Sequence, residues 1–224
     1  MPMPMPSNCR YLVLDICGTI VPFNTTAEFA RYVALYNKHR IVAGLLNPLG
    51  IKMVVAPLSY LSRVDLLRRI SLWVIHGNTK SDLDALADSW VDDRFRPSAR
   101  EWVLARIEDA QRSGSEIVIA SATIDPVANS VGRLFGATVV VSSLLGYQNG
   151  KAMSSISFDA TGKKHEILQK KGVDLTNCCV ITDNASDASL IDKCSEATFI
   201  SQSRRRCLRA TNGNSKVEVH SARE

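Results

Sequence analysis

Apolar positions along this chain follow two patterns. Short unbroken runs stand at residues 11–16, 116–121, 138–142, 178–182 and 197–200. Runs of that length without polar alternation are the mark of strands covered on both faces. Between them, residues 27–38, 99–112, 125–135, 163–171 and 186–192 read as helices. The punctuation agrees: Thr25 or Thr26 is placed to cap the first helix, Pro97 suits a first helical turn, and Gly114 and Gly136 stand where helices should stop. Residues 143–160 are turn-rich, with Gly146, Asn149 and Gly150, and predict a short hairpin or meander. Strands and helices alternate, so the expected fold class is α/β: a Rossmann-like parallel sheet covered by helices on both faces. The exception is the stretch 21–95, which reads as helical throughout, with one helix over 81–90. It is expected to be inserted into a core made of residues 1–20 and 96–205. Residues 206–224 are polar and basic and predict a flexible tail, frayed past Asn212.

In sheets of this kind, sites form at the carboxyl ends of the strands. Three apolar runs end on polar side chains: Asp15 in Asp15-Ile16-Cys17-Gly18-Thr19, Ser121 before Ala122, and Asp183 in Thr182-Asp183-Asn184-Ala185-Ser186-Asp187. Two strand-end carboxylate clusters in one small domain suggest a divalent cation and a phosphorylated substrate.

Bulk properties narrow the class. At 224 residues with 46% apolar content, the chain can bury one large core, or a main core and a smaller insert. A net charge of +5, with four arginines between Arg204 and Arg209, suits attraction of a small anion. Nucleic acid is disfavoured as a partner, because no aromatic residues interleave with those arginines. Six cysteines, two of them adjacent at Cys178 and Cys179, do not make a secreted framework. They point to a reducing compartment and a cytoplasmic location. The opening MPMPMPSNCR has no apolar signal core. The most apolar long stretch, 41–61, contains Asn47, Pro48, Lys52 and Pro57, which argue against a spanning helix. His165 reads as helix surface, and His39 and His76 show no metal spacing. Trp73, Trp90 and Trp102 read as helix packing residues, with lining of the helical insert as the alternative for Trp73.

Four segments occur in a telling order: LDICGT around Asp15, VIASAT around Ser121, GKKHEIL with Lys164 (Lys163 as fallback), and ITDNASD with Asp183 and Asp187. Together they resemble the haloacid dehalogenase-like superfamily of phosphotransferases and hydrolases, nearest to its phosphoserine-phosphatase-like branch. The resemblance implies that 21–95 is a helical cap, and that Asp15 attacks phosphorus to form an aspartyl-phosphate with Mg²⁺ as cofactor. It implies that Asp15, Asp183 and the backbone carbonyl of Cys17 bind the metal. Asp187 supports the metal and its waters from nearby or binds it directly. Ser121, Ala122 and the N–H groups of Cys17 and Gly18 are the implied phosphate contacts. Lys164 offsets the charge of nucleophile and phosphate. Gly18 lets the loop turn closely, and Thr19 supports it through its hydroxyl. The partner implied is a small phosphate monoester, with or without an apolar moiety.

Two positions depart from the family pattern. Its phosphatases carry a second aspartate two residues after the nucleophile, which protonates the leaving oxygen and then activates water. Here that position is Cys17, whose ordinary pKa of about 8.5 suits neither task. A slow phosphatase or phosphotransferase ranks first, a protein that binds a phosphorylated ligand without turnover second, and a dehalogenase or other non-phosphatase hydrolase third. A thiol nucleophile at Cys17 is less favoured than Asp15. Thr182 and Asn184 replace the glycines common around the first acidic residue of the last motif, and Asn184 is expected to keep the turn by tolerating the left-handed backbone. The implied cap is unusually apolar at Leu45, Leu46, Met53, Val54 and Val55, followed by Arg63, Arg68 and Arg69. A closed helical core with a solvated basic edge is favoured there. An apolar channel or membrane-facing surface is the less favoured reading.

Overall fold

The computed structural model describes residues 9–62, 65–201 and 217–221. The basic run 204–209 lies outside them. Seven strands form one sheet: β1 (Tyr11–Leu14), β2 (Glu116–Ile124), β3 (Val139–Gln148), β4 (Lys151–Phe158), β5 (Cys178–Thr182), β6 (Glu196–Ser201) and β7 (Val217–Ser221). Their order is β4-β3-β2-β1-β5-β6-β7. All neighbours are parallel except the hairpin β3–β4. The fully buried β1 explains its own lack of alternation, because each face of the strand meets a different core. Leu12 and Leu14 pack with Ile117, Ile119 and Ile181 on one face. Tyr11 and Val13 pack with Val118, Ala120 and Val180 on the other.

Between β1 and β2 the chain is helical: α1 (Thr25–Tyr36), α2 (Arg40–Leu45), α3 (Pro48–Gly50), α4 (Ala56–Ser62), α5 (Leu66–Ile75), α6 (Lys80–Trp90), α7 (Arg96–Ser98) and α8 (Glu101–Arg112). A π-helical turn, Ile51–Val55, joins α3 to α4. Further along come α9 (Asp125–Phe135), α10 (Lys164–Lys170) and α11 (Ala188–Ile191). The segment after α5 pairs with the start of β4: Gly77 N–H donates to the Ala152 carbonyl at 2.9 Å, and Ala152 N–H to that of Asn78 at 2.8 Å. Trp90 is fully buried against Phe23, Phe29 and Phe95. Trp73, by contrast, is exposed rather than packed.

Several expectations are adjusted. Asn24, not Thr25 or Thr26, caps α1, accepting from Ala27 N–H, which leaves both threonine hydroxyls for other work. Pro97 sits in the short α7, and the longer helix restarts only at Glu101. The turn-rich stretch is the β3–β4 hairpin, closed by Asn149 and Gly150, both at positive φ. Val217–Ser221, within the expected tail, is a parallel edge strand on β6. Its polar composition hid it, since an edge strand needs little apolar cover. Cys178 and Cys179 are buried strand residues as expected, but Cys179 is bonded to Cys9. That bridge corrects the reading of the cysteines as wholly reduced. Of the apolar residues expected to close a helical core over 45–55, Leu46 and Val55 are buried, whereas Met53 and Val54 face outward.

Candidate active site

Register delivers the site. Leu14 lies level with Ile119 of β2 and Ile181 of β5, so Asp15 and Asp183 leave neighbouring strands at the same rim. Asp15 N–H still donates to the Ile181 carbonyl at 3.0 Å, which fixes the residue as it enters its loop. Its Oδ1 accepts from Ile16 N–H at 2.7 Å. Its Oδ2 lies 3.1 Å from Lys164 Nζ, and the same ammonium donates to Asp187 Oδ2 at 2.7 Å. All three side chains are buried. Burial opposes the charge on Lys164, but the Asp15 and Asp187 carboxylates outweigh it and hold the ammonium above the usual lysine range. Lys163 points elsewhere, its ammonium 5.6 Å from the Phe158 ring centre, so the fallback is set aside.

The second acidic segment is built around hydroxyls. Thr182 Oγ1 donates to Asp187 Oδ2 at 2.7 Å and accepts from Asn184 N–H at 3.1 Å. Asn184 keeps the turn, but in an extended conformation (φ −99°) and by accepting from Ser186 N–H, not by a left-handed backbone. Thr19 Oγ1 accepts from Asp183 N–H at 3.1 Å, which ties the two acidic loops together. Gly18 is required where they meet. Its φ is +72°, and a Cβ there would stand 2.0 Å from Asp183 Oδ2.

Asp15, Cys17, Gly18, Ser121, Ala122 and Asp183 all line one cavity of about 690 Å³. Lys164 and Asp187 sit behind that wall. Ser121 is buried where the β2–β3 pairing slips, between Ala120 and Ile124. From the helical stretch, Leu67, Arg68, Ser71 and Leu72 of α5 form the opposite wall. Arg68 reaches back to the sheet side, 2.8 Å from Asp159. Cys17 is partly exposed to the cavity, and its Sγ shares a 2.8 Å hydrogen bond with Thr25 Oγ1. Thr25 continues to Thr123 Oγ1 at 2.8 Å, and Thr123 to Thr26 Oγ1 at 3.0 Å. Surrounding protein, and then the Asp15 carboxylate, push the Cys17 thiol up, so it is protonated at neutral pH. Sequence reasoning missed Thr25, Thr26, Thr123 and the position of Arg68. The only trace of the hydroxyl chain was Thr123 closing the VIASAT segment.

The donor set fits a hard cation. Burial, and then Asp15, push Asp183 up to about 6, and the more weakly acting Lys164 charge offsets this only in part. Asp183 makes no ion pair among the described residues, and the buried Asp187 Oδ1 has no hydrogen-bond partner among them. No three acidic, histidine or cysteine side chains among the described residues form a ready-made cage. Two carboxylates and a backbone carbonyl suit Mg²⁺, which keeps several of its waters.

The family model described as haloacid dehalogenase-like hydrolase matches residues 12–192. No curated protein matches the chain. Among solved structures, a protein of unknown function from Bordetella pertussis Tohama I aligns over 96% of this chain and 99% of its own, with 16% identity and a TM-score of 0.71. A phospho-aspartyl intermediate analogue of phosphoserine phosphatase aligns over 95% and 93%, with 14% identity and a TM-score of 0.57. Cytosolic 5′-nucleotidase IIIB bound to cytidine aligns over 95% and 81%, with 16% identity and a TM-score of 0.54. At these identities the likeness is one of fold. The family match runs from within β1 to just past α11 and spans every residue that meets at the rim, so the chain belongs to the haloacid dehalogenase-like hydrolases.

Proposed function

We propose that this protein is a Mg²⁺-dependent phosphatase or phosphotransferase for a small phosphate monoester, with Asp15 as the nucleophile. The observation that carries the reading is the buried Lys164 ammonium held between Asp15 and Asp187, behind a cavity lined by the Cys17–Gly18 loop and Ser121. A lysine so placed offsets charge as a phosphoryl group approaches Asp15. Likeness of fold to phosphoserine phosphatases and to a nucleotidase supports a phosphate ester as substrate.

In the first step an Asp15 carboxylate oxygen bonds to phosphorus, and the phosphorus–oxygen bond to the leaving group breaks, the departing oxygen taking its proton from water. Ser121 and the loop N–H groups of Cys17 and Gly18 hold the phosphoryl oxygens. In the second step water attacks phosphorus, which releases phosphate and restores the Asp15 carboxylate. Asp15, Asp183 and the Cys17 carbonyl are the residues to hold the cation, with Asp187 beside them. Bound there, Mg²⁺ supplies Lewis-acid neutralisation of phosphoryl oxygens. The helices of 21–95 act as a cap in this reading, α5 deciding what reaches the cavity. Turnover of para-nitrophenyl phosphate with Mg²⁺ is the test. Asp15→Asn should lower the rate by about 10² or more, and an undiminished rate would falsify the assignment.

Cys17 favours a second reading, in which a phosphorylated ligand is bound without turnover. A protonated thiol hydrogen-bonded to Thr25 serves poorly as a proton donor to an oxygen leaving group. Beryllium fluoride with Mg²⁺ would then raise the melting temperature while no ester is hydrolysed.

A further inference from the structure

We infer that the outward face of the helical stretch 40–62 docks on an anionic lipid surface. This inference goes beyond the catalytic reading and does not depend on it. From Pro48 to Ser62 the chain is one continuous rod, through α3, the π-helical turn and α4. Its inward side is a narrow stripe of Ile51, Val55 and Ser59, four residues apart. The outward side is apolar as well: Leu49 is 68% exposed, Met53 67% and Leu61 76%, and Ile41 on the adjoining α2 is 85% exposed. Met53 and Leu61 lie eight residues apart and so share a face of the rod. An ordinary surface helix turns charged residues outward, and one apolar all round is expected to be covered.

Charge identifies the cover. No aspartate or glutamate stands between Glu28 and Asp65. The charged residues exposed on this stretch and at its entry are Lys38, Arg40 and Lys52, all cationic. Exposed tyrosines, Tyr36 and Tyr60, stand at either end. Apolar side chains with a lysine and arginine fringe and aromatic ends match the boundary between acyl chains and anionic headgroups. A second copy of the chain matches less well, because a two-fold contact through this face would bring the same cations together. Spanning is ruled out by length. Fifteen helical residues reach about 22 Å, short of the roughly 30 Å hydrocarbon core, and among the described residues no helix is long and apolar enough to cross a membrane. The rod would therefore lie in the plane of the interface.

The full chain should co-sediment with phosphatidylcholine vesicles containing phosphatidylglycerol about tenfold or more better than with phosphatidylcholine alone. High salt should reduce the difference. The double variant Met53→Glu with Leu61→Glu should lose vesicle binding about tenfold or more. Both positions are exposed, so the melting temperature and turnover of a water-soluble ester should match the parent. Lys52→Glu alone should weaken binding to anionic vesicles and leave binding to neutral ones unchanged. Failure of the wild type to sediment would overturn the inference, as would equal sedimentation of the double variant. So would a wild-type dimer in analytical ultracentrifugation that the double variant dissolves, which would make a second copy the cover. Since vesicle binding is read without substrate, a failed phosphatase assay leaves this result standing, and the reverse holds too.

Discussion

In place of a carboxylate, position 17 presents a thiol whose sulfur lies 2.8 Å from the Thr25 hydroxyl. An aspartate there would stand close to Asp15 in the same sheltered loop, and both influences raise a carboxyl pKa toward the range useful for an acid. Cys17→Asp should therefore speed hydrolysis of an alkyl phosphate about tenfold or more, and of para-nitrophenyl phosphate less, because its leaving group needs little protonation. Unchanged rates on both esters would mean that proton transfer is not what Cys17 lacks. Asp183 gives a different handle. Its carboxyl titrates near 6 in the fold and near 3.9 when unfolded. Over that window the folded state holds a proton the unfolded chain has lost, so metal-free stability falls as pH rises through it. Asp183→Asn should remove the penalty and leave the metal-free protein roughly 1–2 kcal/mol more stable at neutral pH, after allowance for solvent screening. Urea titrations in chelator at pH 4 and pH 7 would show it; a gain equal at both pH values would place its cause elsewhere. Lys164→Gln should instead lower stability by about 3–5 kcal/mol, read as a lower urea midpoint, because it leaves Asp15 and Asp187 buried without a cation. Asp15, Ser121 and Asp183 were legible in the sequence because each ends a buried apolar run, and Lys164 and Asp187 through their motifs. Thr25 and Thr123 were not, since the hydrogen bond between them joins residues 98 apart and exists only once α1 lies against the end of β2.

At the scale of elements, the parallel strands were readable from unbroken apolar runs, and the helices from their stop signals. Gly136 is a left-handed C-cap at φ 64°, as its place in the sequence suggested. What escaped was how the elements meet. The β2–β3 pairing slips over 121–123, so those residues turn toward the cavity while still counted within the strand. The helices of 21–95 show the same limit. Apolar spacing told of helices but not which apolar face would be left outward, because that depends on whether a neighbour arrives to cover it. Arg68 on α5 meets Asp159 beyond β4 at 2.8 Å and holds that carboxyl below its usual range. Together with the Gly77–Ala152 pairing, this fastens α5 over the cavity. Arg68→Ala should loosen that wall while leaving the sheet intact. The expected outcome is faster hydrogen exchange at the backbone amides of α5, with little change in the protection of β1 and β5. Equal protection in the variant would show that the pairing at Gly77 alone holds the helix.

Across the whole molecule, the central strands are tied twice. β1 and β5 pair in the sheet, and Cys9, just before β1, is bonded to Cys179 of β5 across 170 residues of sequence. No local pattern reveals such a bridge. It requires knowing that the first and fifth strands are neighbours, and the adjacent Cys178 is an equally plausible partner until the register sets Leu12 opposite Cys179. Register alternates the two cysteines between faces: Cys179 belongs to the core cluster that contains Cys9, and Cys178 to the opposite one. The same strand pair carries Asp15 and Asp183 at its other end, so the bridge and the candidate site share one scaffold without touching. Replacing both Cys9 and Cys179 by Ala should therefore separate stability from chemistry. Loss of a cross-link closing so long a loop is expected to cost about 2–5 kcal/mol, read as a lower urea midpoint with an increased denatured-state exposure in the slope. Turnover and Mg²⁺ dependence at a temperature where the variant remains folded should stay as in the parent. A variant that folds but loses its Mg²⁺ response would show that the bridge sets the spacing of the two acidic loops, and that pairing of β1 with β5 alone does not.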